Sequence, residues 1–377
     1  MICSLDNNSR AWSDSRGYGA VPPDHRYHLA HSLERGTDRE NHPMKAMQVQ
    51  EANSDFVLVD LPIPEPAEDQ IRVKVEACGI CHSDAFVKFG AFPSIEYPRV
   101  PGHEVAGVVD ALGTGVSAFK EGDRVGVGWH GGHCFQCEPC RRGDFLNCTS
   151  QKICGISYDG GYQEYMVAPW EAAARIPDEL SSIDAGPLLC AGITTFNSLR
   201  NAGARSGDTV AISGIGGLGH LGLQYASRMG FRTIALSRGD DKRILAEELG
   251  AHEYIDTAQT NVAEALQALG GADLILATAP NAKVIGELTD GLSARGKLLI
   301  VAAAADNVEF APFTMLSGKT IAGWPSGSSI DSEDTLNFSA LTGVRPKVET
   351  FPLEQANEAF AKMMANKVRF RAVLTMS

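Results

Sequence analysis

The chain has 377 residues, too many for one ordinary hydrophobic core, and this length predicts two domains. Hydrophobic residues make up 44% and charged residues 21% of it, which is typical of globular proteins and excludes the disordered and fibrous classes. The formal net charge of −13 lacks the basic excess that nucleic-acid binding requires, so we expect a small-molecule partner and no nucleic acid.

Residues 1–43 mix acidic and basic side chains with Pro22-Pro23 and scattered histidines. They have neither the apolar stretch of a secretory signal nor the acid-poor composition of a transit peptide. No segment of the sequence reaches the roughly 18–20 consecutive apolar residues that span a bilayer. We therefore expect residues 1–43 to be a disordered extension, or the product of a misassigned start codon. We expect the protein to be cytoplasmic, with no membrane partner.

From Met44 to about Val167, short apolar segments alternate with turns that contain Pro, Gly or Asp. This alternation predicts an irregular, all-β domain, because each apolar segment is too short for a helix and is bounded by turn residues. Its expected strands are Phe56–Leu61, Ile71–Ala77, Val105–Ala111 and Arg124–Val127.

Three separate segments carry side chains that commonly bind metals. Cys81 follows the second expected strand, His103 stands just before the third, and Cys190 lies in a later segment with Gly and Pro. Each is weak evidence alone, because buried cysteines and structural histidines are common. Together, two thiolates and one imidazole would hold a Zn²⁺ ion and leave its fourth position open, as in catalytic zinc sites. Asp84 and Glu104 are either groups that orient these ligands or solvated acids.

A compact group of cysteines follows in a loop that also contains Gly and Pro, with the spacing C-x2-C-x2-C-x7-C. In a reducing compartment such cysteines are more often metal ligands than disulfides. Four thiolates at this spacing can close a tetrahedron around one Zn²⁺, which would stabilise a loop with few apolar residues. An iron–sulfur cluster and four free thiols are the alternatives. The four residues are Cys134, Cys137, Cys140 and Cys148.

From about Ser206, strands alternate with helices, which predicts a parallel sheet with right-handed crossovers. The expected fold class is therefore α/β plus β, with an irregular β domain and a doubly wound parallel domain. The expected strands of the second domain are Thr209–Ser213, Thr233–Leu236, Leu274–Ala277 and Lys297–Val301. Its expected helices are Gly217–Met229 and Lys242–Leu249. The tail predicts the helix Glu354–Ala365 and the strand Ala372–Thr375.

The first strand of this second domain runs into the pattern G-x-G-x-x-G and then into a helix. Such glycines permit a tight turn and a close approach of the backbone to a pyrophosphate, whose charge faces the N-terminus of the helix. Because both the strand and the helix are present, the pattern indicates a dinucleotide site. Its residues are Gly214, Gly216, Gly217, Leu218 and Gly219.

The next strand ends in Ser237-Arg238, where an enzyme that uses NAD commonly carries an acid for the ribose 2′-hydroxyl. No carboxylate repels a 2′-phosphate at that place, and Arg238, helped by Lys242, could pair with one. The sequence therefore favours NADP(H) over NAD(H). The alternative is that Arg238 only stacks on the adenine.

These motifs, in this order, resemble those of the zinc-containing medium-chain alcohol dehydrogenases, particularly the cinnamyl-alcohol and yeast-type branches, over about residues 44–377. The resemblance implies a GroES-like catalytic domain over residues 44–190, completed by about residues 326–377, and a Rossmann domain over residues 191–325. It also implies an active site between the two, two Zn²⁺ ions per chain, and a homodimer or homotetramer.

The same resemblance implies roles for single residues. The ligands of a catalytic zinc would be Cys81, His103 and Cys190, with Glu104 as a conditional neighbour. The four grouped cysteines would hold a structural zinc, and Ser83 would pass on the substrate proton. Besides the glycine turn, the cofactor contacts would be His82, Thr194 and Arg371. The residues lining the substrate pocket, or alternatively belonging to the core, would be Phe92 and Trp129.

The implied reaction is hydride transfer between NADP(H), or NAD(H), and an alcohol/aldehyde pair. Phe86, Phe89, Phe92 and Trp129 suggest an apolar pocket suited to aromatic or medium-chain aldehydes. Phe86 departs from the family, since many relatives carry a histidine there as the outer member of a proton relay. We therefore expect slower or differently pH-dependent oxidation.

Two rival functions stay open at this point. One is a reductase of activated carbon–carbon double bonds on the same fold, and the other is a non-enzymatic protein that retains the fold. The complete set of zinc ligands and glycines argues against both.

Overall fold

The computed structural model describes residues 43–92, 95–302, 304 and 306–376. The predicted extension, except its last residue, lies outside the described residues. Within the described ranges, no helix has both the length and the apolar character needed to cross a bilayer.

The described strands, in chain order, are β1 (Met44–Val49), β2 (Phe56–Leu61), β3 (Gln70–Ile80), β4 (Val105–Leu112), β5 (Arg124–Val127), β6 (Tyr165–Pro169), β7 (Ala173–Arg175), β8 (Thr209–Ser213), β9 (Arg232–Ser237), β10 (Glu253–Asp256), β11 (Ala272–Ala277), β12 (Leu292–Ile300), β13 (Thr320–Gly323), β14 (Val348–Pro352) and β15 (Arg371–Thr375).

The described α-helices are α1 (Asp84–Phe89), α2 (Glu138–Arg141), α3 (Ser182–Pro187), α4 (Ile193–Asn201), α5 (Gly219–Arg228), α6 (Arg243–Glu248), α7 (Val262–Ala268), α8 (Ala282–Glu287), α9 (Ser329–Thr342) and α10 (Ala356–Met364). A π-helical turn, Leu188–Gly192, joins α3 to α4. Short 3-10 turns occupy Phe145–Asn147, Trp170–Ala172, Leu288–Gly291, Pro312–Ser317 and Leu353–Gln355.

The first sheet has the strand order β14-β15-β3-β4-β5-β7, and β6 pairs with β3 beside this path. Strand β3 runs antiparallel to β4, β6 and β15, so it joins early and late parts of the chain. Its apolar side chains pack into one core with residues from β4, β6 and β15. Because β3 ends just before Cys81 and β4 begins just after Glu104, this pairing brings two predicted ligand segments to the same end of the sheet.

The second sheet is parallel throughout, with the strand order β10-β9-β8-β11-β12-β13. The chain moves outward from β8 in one direction and then returns to the other side of it, so the order reverses between β8 and β11. Ligands of such sheets bind outside the carboxyl ends of the strands at this reversal. The predicted doubly wound parallel sheet is confirmed.

Alternate residues of β8 face opposite sides of the second sheet, because side chains alternate along a strand. Val210 and Ile212 pack in one apolar core, and Ala211 packs in another. All five residues of β8 are buried, as expected for a central parallel strand. The placement of the domain boundaries at residues 190/191 and 325/326 stays a prediction.

Several elements differ in extent from their predictions. The helix predicted from Gly217 begins at Gly219, because the residues before it form the glycine turn. Strand β12 begins at Leu292 instead of Lys297, and it includes Arg295 with φ of 64°. The tail helix divides into a 3-10 turn and α10, which begins at Ala356.

Candidate active site and metal centres

The four residues predicted at the candidate catalytic zinc site belong to three separate segments of the sequence and come together at the end of the first sheet. The metal-binding atoms of Cys81, His103, Glu104 and Cys190 all lie within 4.8 Å of one another. The β3–β4 pairing, with Cys78 opposite Val105, positions the first three of these residues. Cys190 reaches the group from the helical segment between the two sheets.

The π-helical turn positions Cys190. Pro187 ends α3 and has no N–H group, so the regular hydrogen-bond ladder is interrupted there. The hydroxyl of Thr195 donates to the carbonyl oxygen of Ala191 at 2.8 Å, which satisfies an acceptor of the wider turn. Such single π turns recur at functional sites, because they re-aim one side chain within a helix. Here the Sγ atom of Cys190 lies 3.7 Å from that of Cys81.

The geometry of this group fits a zinc ion. With Zn–S bonds of about 2.3 Å, the edge of a tetrahedron is about 3.8 Å, and the Cys81–Cys190 Sγ distance is 3.7 Å. The Nε2 atom of His103 and the Oε2 atom of Glu104 are buried without a hydrogen-bond partner. Buried polar atoms are seldom left unpaired, and a metal ion would satisfy these.

Asp84 orients His103 and the Cys81 segment. Its carboxylate is buried, and one oxygen lies 3.1 Å from Nδ1 of His103. The other oxygen accepts from the backbone N–H of Cys81 at 2.8 Å and from the hydroxyl of Tyr162 at 2.9 Å. The Nδ1 contact leaves Nε2 of His103 free for a metal, as is usual for histidine ligands. The alternative that Asp84 is a solvated acid is therefore wrong.

Glu104 is also buried, so it is not a solvated acid either. Its Oε1 atom accepts from the guanidinium of Arg371, which also donates to the carbonyl oxygen of Ile80 at 3.1 Å. Burial raises the pKa of Glu104 to about 7, and the charge of Arg371 opposes that rise. A Cβ atom on Gly79 would overlap the Glu104 carboxylate, so this strand position requires glycine.

Arg371 is predicted to contact the cofactor pyrophosphate, and it is buried against Glu104. It also lies at the glycine turn, since a Cβ atom on Gly217 would lie 2.8 Å from its Nη1 atom. The guanidinium is therefore placed between the candidate metal group and the candidate dinucleotide turn.

The four grouped cysteines also come together, with their Sγ atoms within 4.8 Å of one another. The Sγ atoms of Cys137 and Cys148 are 3.8 Å apart, again the edge of a zinc–sulfur tetrahedron. Backbone N–H groups of Cys140 and Thr149 lower the pKa of Cys137 to about 6, which favours the thiolate form that binds metal. Four thiolates fill a tetrahedron and leave no open position, so this centre suits a structural role.

The glycine turn has the form expected for a dinucleotide site. Gly214 has φ of 94°, which favours glycine, and a Cβ atom on Gly219 would overlap the carbonyl oxygen of Gly214. Apart from its chain neighbours, no described residue has an atom within 4 Å of a Cβ atom placed on Gly216, so this position faces space that a phosphate could occupy. Leu218 immediately precedes α5.

The residues predicted to set cofactor preference follow β9. Ser237 ends the strand and is buried, whereas Arg238 is exposed. Lys242 donates to the carbonyl oxygen of Ile215 at 3.2 Å, so its ammonium lies beside the glycine turn. The remaining predicted contacts are an exposed His82 and a partly exposed Thr194 in the first turn of α4.

Aromatic rings lie beside the candidate catalytic zinc site. The ring of Trp129 lies 5.0 Å from that of His103, edge to face. Phe92 lies 6.4 Å from Trp129 and 6.0 Å from Phe86. Phe89, which is also suggested for the pocket, instead packs 6.4 Å from Phe360 of α10. Three of the four suggested aromatic side chains therefore form one group.

Sequence reasoning missed two buried residues of this region. Tyr162 donates a hydrogen bond to Asp84 from a position 78 residues later in the chain, and no local sequence pattern predicts that contact. His220 follows the last glycine of the turn, and its ring contacts both the turn and the C-terminal segment. The position of His220 directly after the fingerprint is the one signal that could have drawn attention to it.

Comparison with known proteins agrees with this arrangement. Residues 67–178 match the alcohol dehydrogenase GroES-like domain, and residues 217–340 match the zinc-binding dehydrogenase family. The chain is 47% identical to alcohol dehydrogenase patD of Penicillium expansum, over 86% of this chain and 96% of that protein.

Two solved structures extend the likeness to three dimensions. One is cinnamyl alcohol dehydrogenase SbCAD4 of Sorghum bicolor, with a TM-score of 0.80, 29% identity, and coverage of 89% of this chain and 98% of that one. The other is a zinc-binding dehydrogenase of Sinorhizobium meliloti 1021 bound to NADP, with a TM-score of 0.81, 28% identity, and coverage of 89% and 100%. The chain belongs to the zinc-dependent medium-chain alcohol dehydrogenases and is an NAD(P)-dependent enzyme of that family.

Proposed function

We propose that this alcohol dehydrogenase prefers NADP(H) and acts on aromatic or medium-chain alcohol/aldehyde pairs, chiefly as an aldehyde reductase. The observation that carries the proposal is the meeting of three features at one place: the Cys81–His103–Cys190 group, the aromatic rings beside it, and the glycine turn reached through Arg371.

Cys81, His103 and Cys190 would hold the catalytic zinc, with Glu104 as the neighbouring carboxylate. The chemistry that zinc would supply to this site is polarisation of the substrate oxygen and a lower pKa for a bound alcohol. Asp84 keeps Nε2 of His103 directed at the group through its contact with Nδ1. The second centre, with its four cysteines, would hold a structural zinc.

Ser83 is the proposed first carrier of the substrate proton. Its hydroxyl lies 3.9 Å from Sγ of Cys81, which places it next to the proposed ligands. The apolar Phe86 cannot accept this proton, so the proton must reach solvent by another route. This is the physical reason for expecting a pH dependence unlike that of relatives with a histidine at that position.

The proposed NADP(H) preference rests on charge after β9. The exposed Arg238 and the nearby Lys242 supply cations where a 2′-phosphate would lie, and no acid stands at the first two positions after Leu236. The aromatic group of Phe86, Phe92 and Trp129 supports an apolar substrate, because such a surface offers few hydrogen bonds to a polar one.

Zinc content and initial rates on a small panel of aldehydes test the proposal. Rates are compared with NADPH and NADH, before and after a chelator, and alongside Arg238→Ala. We expect two zinc ions per chain, chelator-sensitive aldehyde reduction, and a higher kcat/KM with NADPH that Arg238→Ala reduces. One zinc or none, with no carbonyl turnover, would contradict the catalytic zinc and favour double-bond reduction. Equal kcat/KM with the two cofactors would contradict the preference alone.

A further inference from the structure

His220 is a fully buried histidine that the proposed reaction does not use. It stands in the first turn of α5, directly after Gly219. Its Nδ1 atom lies 2.9 Å from the carbonyl oxygen of Gly216, and its Nε2 atom lies 3.2 Å from the backbone N–H of Lys347. Its ring stacks on Phe370 with the centroids 4.8 Å apart.

These contacts determine the protonation of the ring. A backbone N–H only donates, so Nε2 must accept the hydrogen bond of Lys347. The proton therefore lies on Nδ1, which donates to Gly216. Burial lowers the pKa of His220 to about 3, so the ring stays neutral and keeps both bonds at any pH where the enzyme works.

Lys347 continues the connection to the C-terminal segment. Its carbonyl oxygen accepts from the backbone N–H groups of Phe370 at 2.8 Å and Arg371 at 3.0 Å. The side chain of Arg371 then lies beside the glycine turn, with its Nη1 atom 2.8 Å from where a Cβ atom on Gly217 would stand, and it also binds Glu104. Hydrogen bonds and this close approach therefore connect the turn, through His220, Lys347 and Arg371, back to the turn.

We propose that His220 is a positioning residue, which fixes the position of the dinucleotide turn relative to the Arg371–Glu104 pair. It thereby determines where the cofactor pyrophosphate lies relative to the metal ligands. The inference rests on the proposed use of a nicotinamide dinucleotide at this turn. The placement matters because displacements of about 1 Å at a reacting centre can cost about 10²-fold in rate.

Three substitutions separate the contacts of the ring. His220→Phe keeps the stacking surface and removes both hydrogen bonds. His220→Asn places an amide donor near the position of Nδ1, and His220→Gln places an acceptor near that of Nε2. Each of these two variants can keep one bond of the pair.

Gln224 supplies the matched control. It lies one turn further along α5 and binds the same loop, donating to the carbonyl oxygen of Arg345 at 2.9 Å and accepting from its N–H at 3.2 Å. Its side-chain amide also donates to the backbone carbonyl oxygen of His220 at 3.1 Å, but within the described residues it makes no hydrogen bond to residues 214–219 or to the His220 ring. Gln224→Leu therefore loosens the same loop, and removes one bond to the backbone of α5, while the ring contacts of His220 with Gly216 and Lys347 stay in place.

The measurements are the Kd of NADPH and of NADH by fluorescence titration, the Tm and the zinc content of each full-length variant. We expect His220→Phe to raise the Kd of the preferred cofactor about tenfold, the effect of losing two net hydrogen bonds. His220→Asn and His220→Gln should fall between it and the parent. Gln224→Leu should lower the Tm and change the Kd less than about twofold, with zinc content unchanged throughout.

Two results would overturn the proposal. One is an unchanged cofactor Kd in all three His220 variants, with only the Tm lowered. This is the result expected if the role of His220 is purely structural. The other is a Kd for Gln224→Leu raised as much as that of the His220 variants. If His220→Phe does not fold, the Asn and Gln variants decide by the same criteria. A parent enzyme that binds neither nucleotide would instead contradict the proposed function.

Discussion

Phe86 is an apolar ring at a place where a proton acceptor would be useful. It lies in α1, two residues after the carboxylate that orients His103, and its ring packs on Phe92 and Trp129. Phe86 is 37% exposed, so a titratable side chain introduced at this position would reach water and titrate near its ordinary pKa.

Phe86→His should change the pH dependence of alcohol oxidation. An imidazole with a pKa of about 6.5 accepts protons only in its neutral form, so kcat/KM should rise as the pH increases through about 6.5. At pH 8 we expect a gain of roughly tenfold, less than the ~10²–10⁴-fold of a positioned general base. The measurement is the pH profile of kcat/KM between about pH 5.5 and 9, a range that brackets the titration.

Phe86→Leu is the control for this change, because it also removes the aromatic contacts and adds no titrating group. Its profile should have the shape of the parent's. If the Phe86→His and Phe86→Leu profiles superimpose, a missing proton acceptor at this position does not limit oxidation.

Local sequence identifies single ligands better than it identifies their partners. Cys81, His103 and Cys190 are recognisable from residue type and surrounding motif. The burial of Asp84 and Glu104 is not, because an acid that follows a ligand looks the same whether it is solvated or buried. The partner of Glu104 is Arg371, 267 residues later, and only the folded sheet brings the two together.

At the scale of elements, the strand–turn–helix unit from β8 to α5 contains glycines that are needed for two different reasons, protein packing and ligand binding. Gly219 is required by protein packing, since a side chain there would overlap the carbonyl oxygen of Gly214. A Cβ atom on Gly216 would meet none of the described residues beyond its chain neighbours within 4 Å, so a methyl group there would displace a bound ligand rather than protein.

The two alanine substitutions should therefore have opposite signatures. Gly219→Ala should lower the Tm, consistent with a steric cost of about 1–3 kcal/mol for overpacking. Gly216→Ala should leave the Tm within about 1–2 °C of the parent and weaken nicotinamide dinucleotide binding at least about tenfold. Thermal unfolding and cofactor titration of both variants provide the test. A Gly216→Ala enzyme with unchanged affinity would mean that the pyrophosphate does not occupy this space.

The sequence predicts best the elements that are bounded by clear turn residues. The central strands of both sheets are short apolar runs between such residues, and the helix after the glycines follows one of them. The predictions for these elements are confirmed within a few residues. The π-helical turn at Leu188–Gly192 is not predictable in this way, because its residues have the composition of an ordinary helix. The sequence predicts β12 only from Lys297, because Arg295-Gly296 has the composition of a turn, whereas the strand begins at Leu292.

At the scale of the whole molecule, strand β13 is the outer strand of the parallel sheet. Among the described strands it pairs with β12 alone. The adjoining turn exposes Phe313 by 84% and Leu316 by 77%. An open strand edge beside exposed apolar side chains is a surface that proteins usually cover.

We predict that a second copy of the chain covers this surface. The doubly substituted chain Phe313→Glu/Leu316→Glu should sediment as a smaller species than the parent, because four charges would meet at a symmetric contact. Leu341→Glu is the control, since Leu341 is equally exposed, at 84%, but belongs to a different element, helix α9. Sedimentation velocity decides: a monomeric parent, or a double variant that keeps the parent's mass, would count against this interface.

The position of β15 bears on how the protein is made. It lies between β14 and β3, and Arg371 at its start binds Ile80, 291 residues earlier. Chains generally fold during synthesis in units, with the N-terminal parts first. The parallel sheet can therefore assemble on the ribosome while the first sheet still has a gap beside its longest strand. Zinc binding next to Glu104 would then follow the synthesis of β15, because Arg371 holds the Glu104 carboxylate. Stalled nascent chains ending before Arg371 that already retain zinc at Cys81 would contradict this order of assembly.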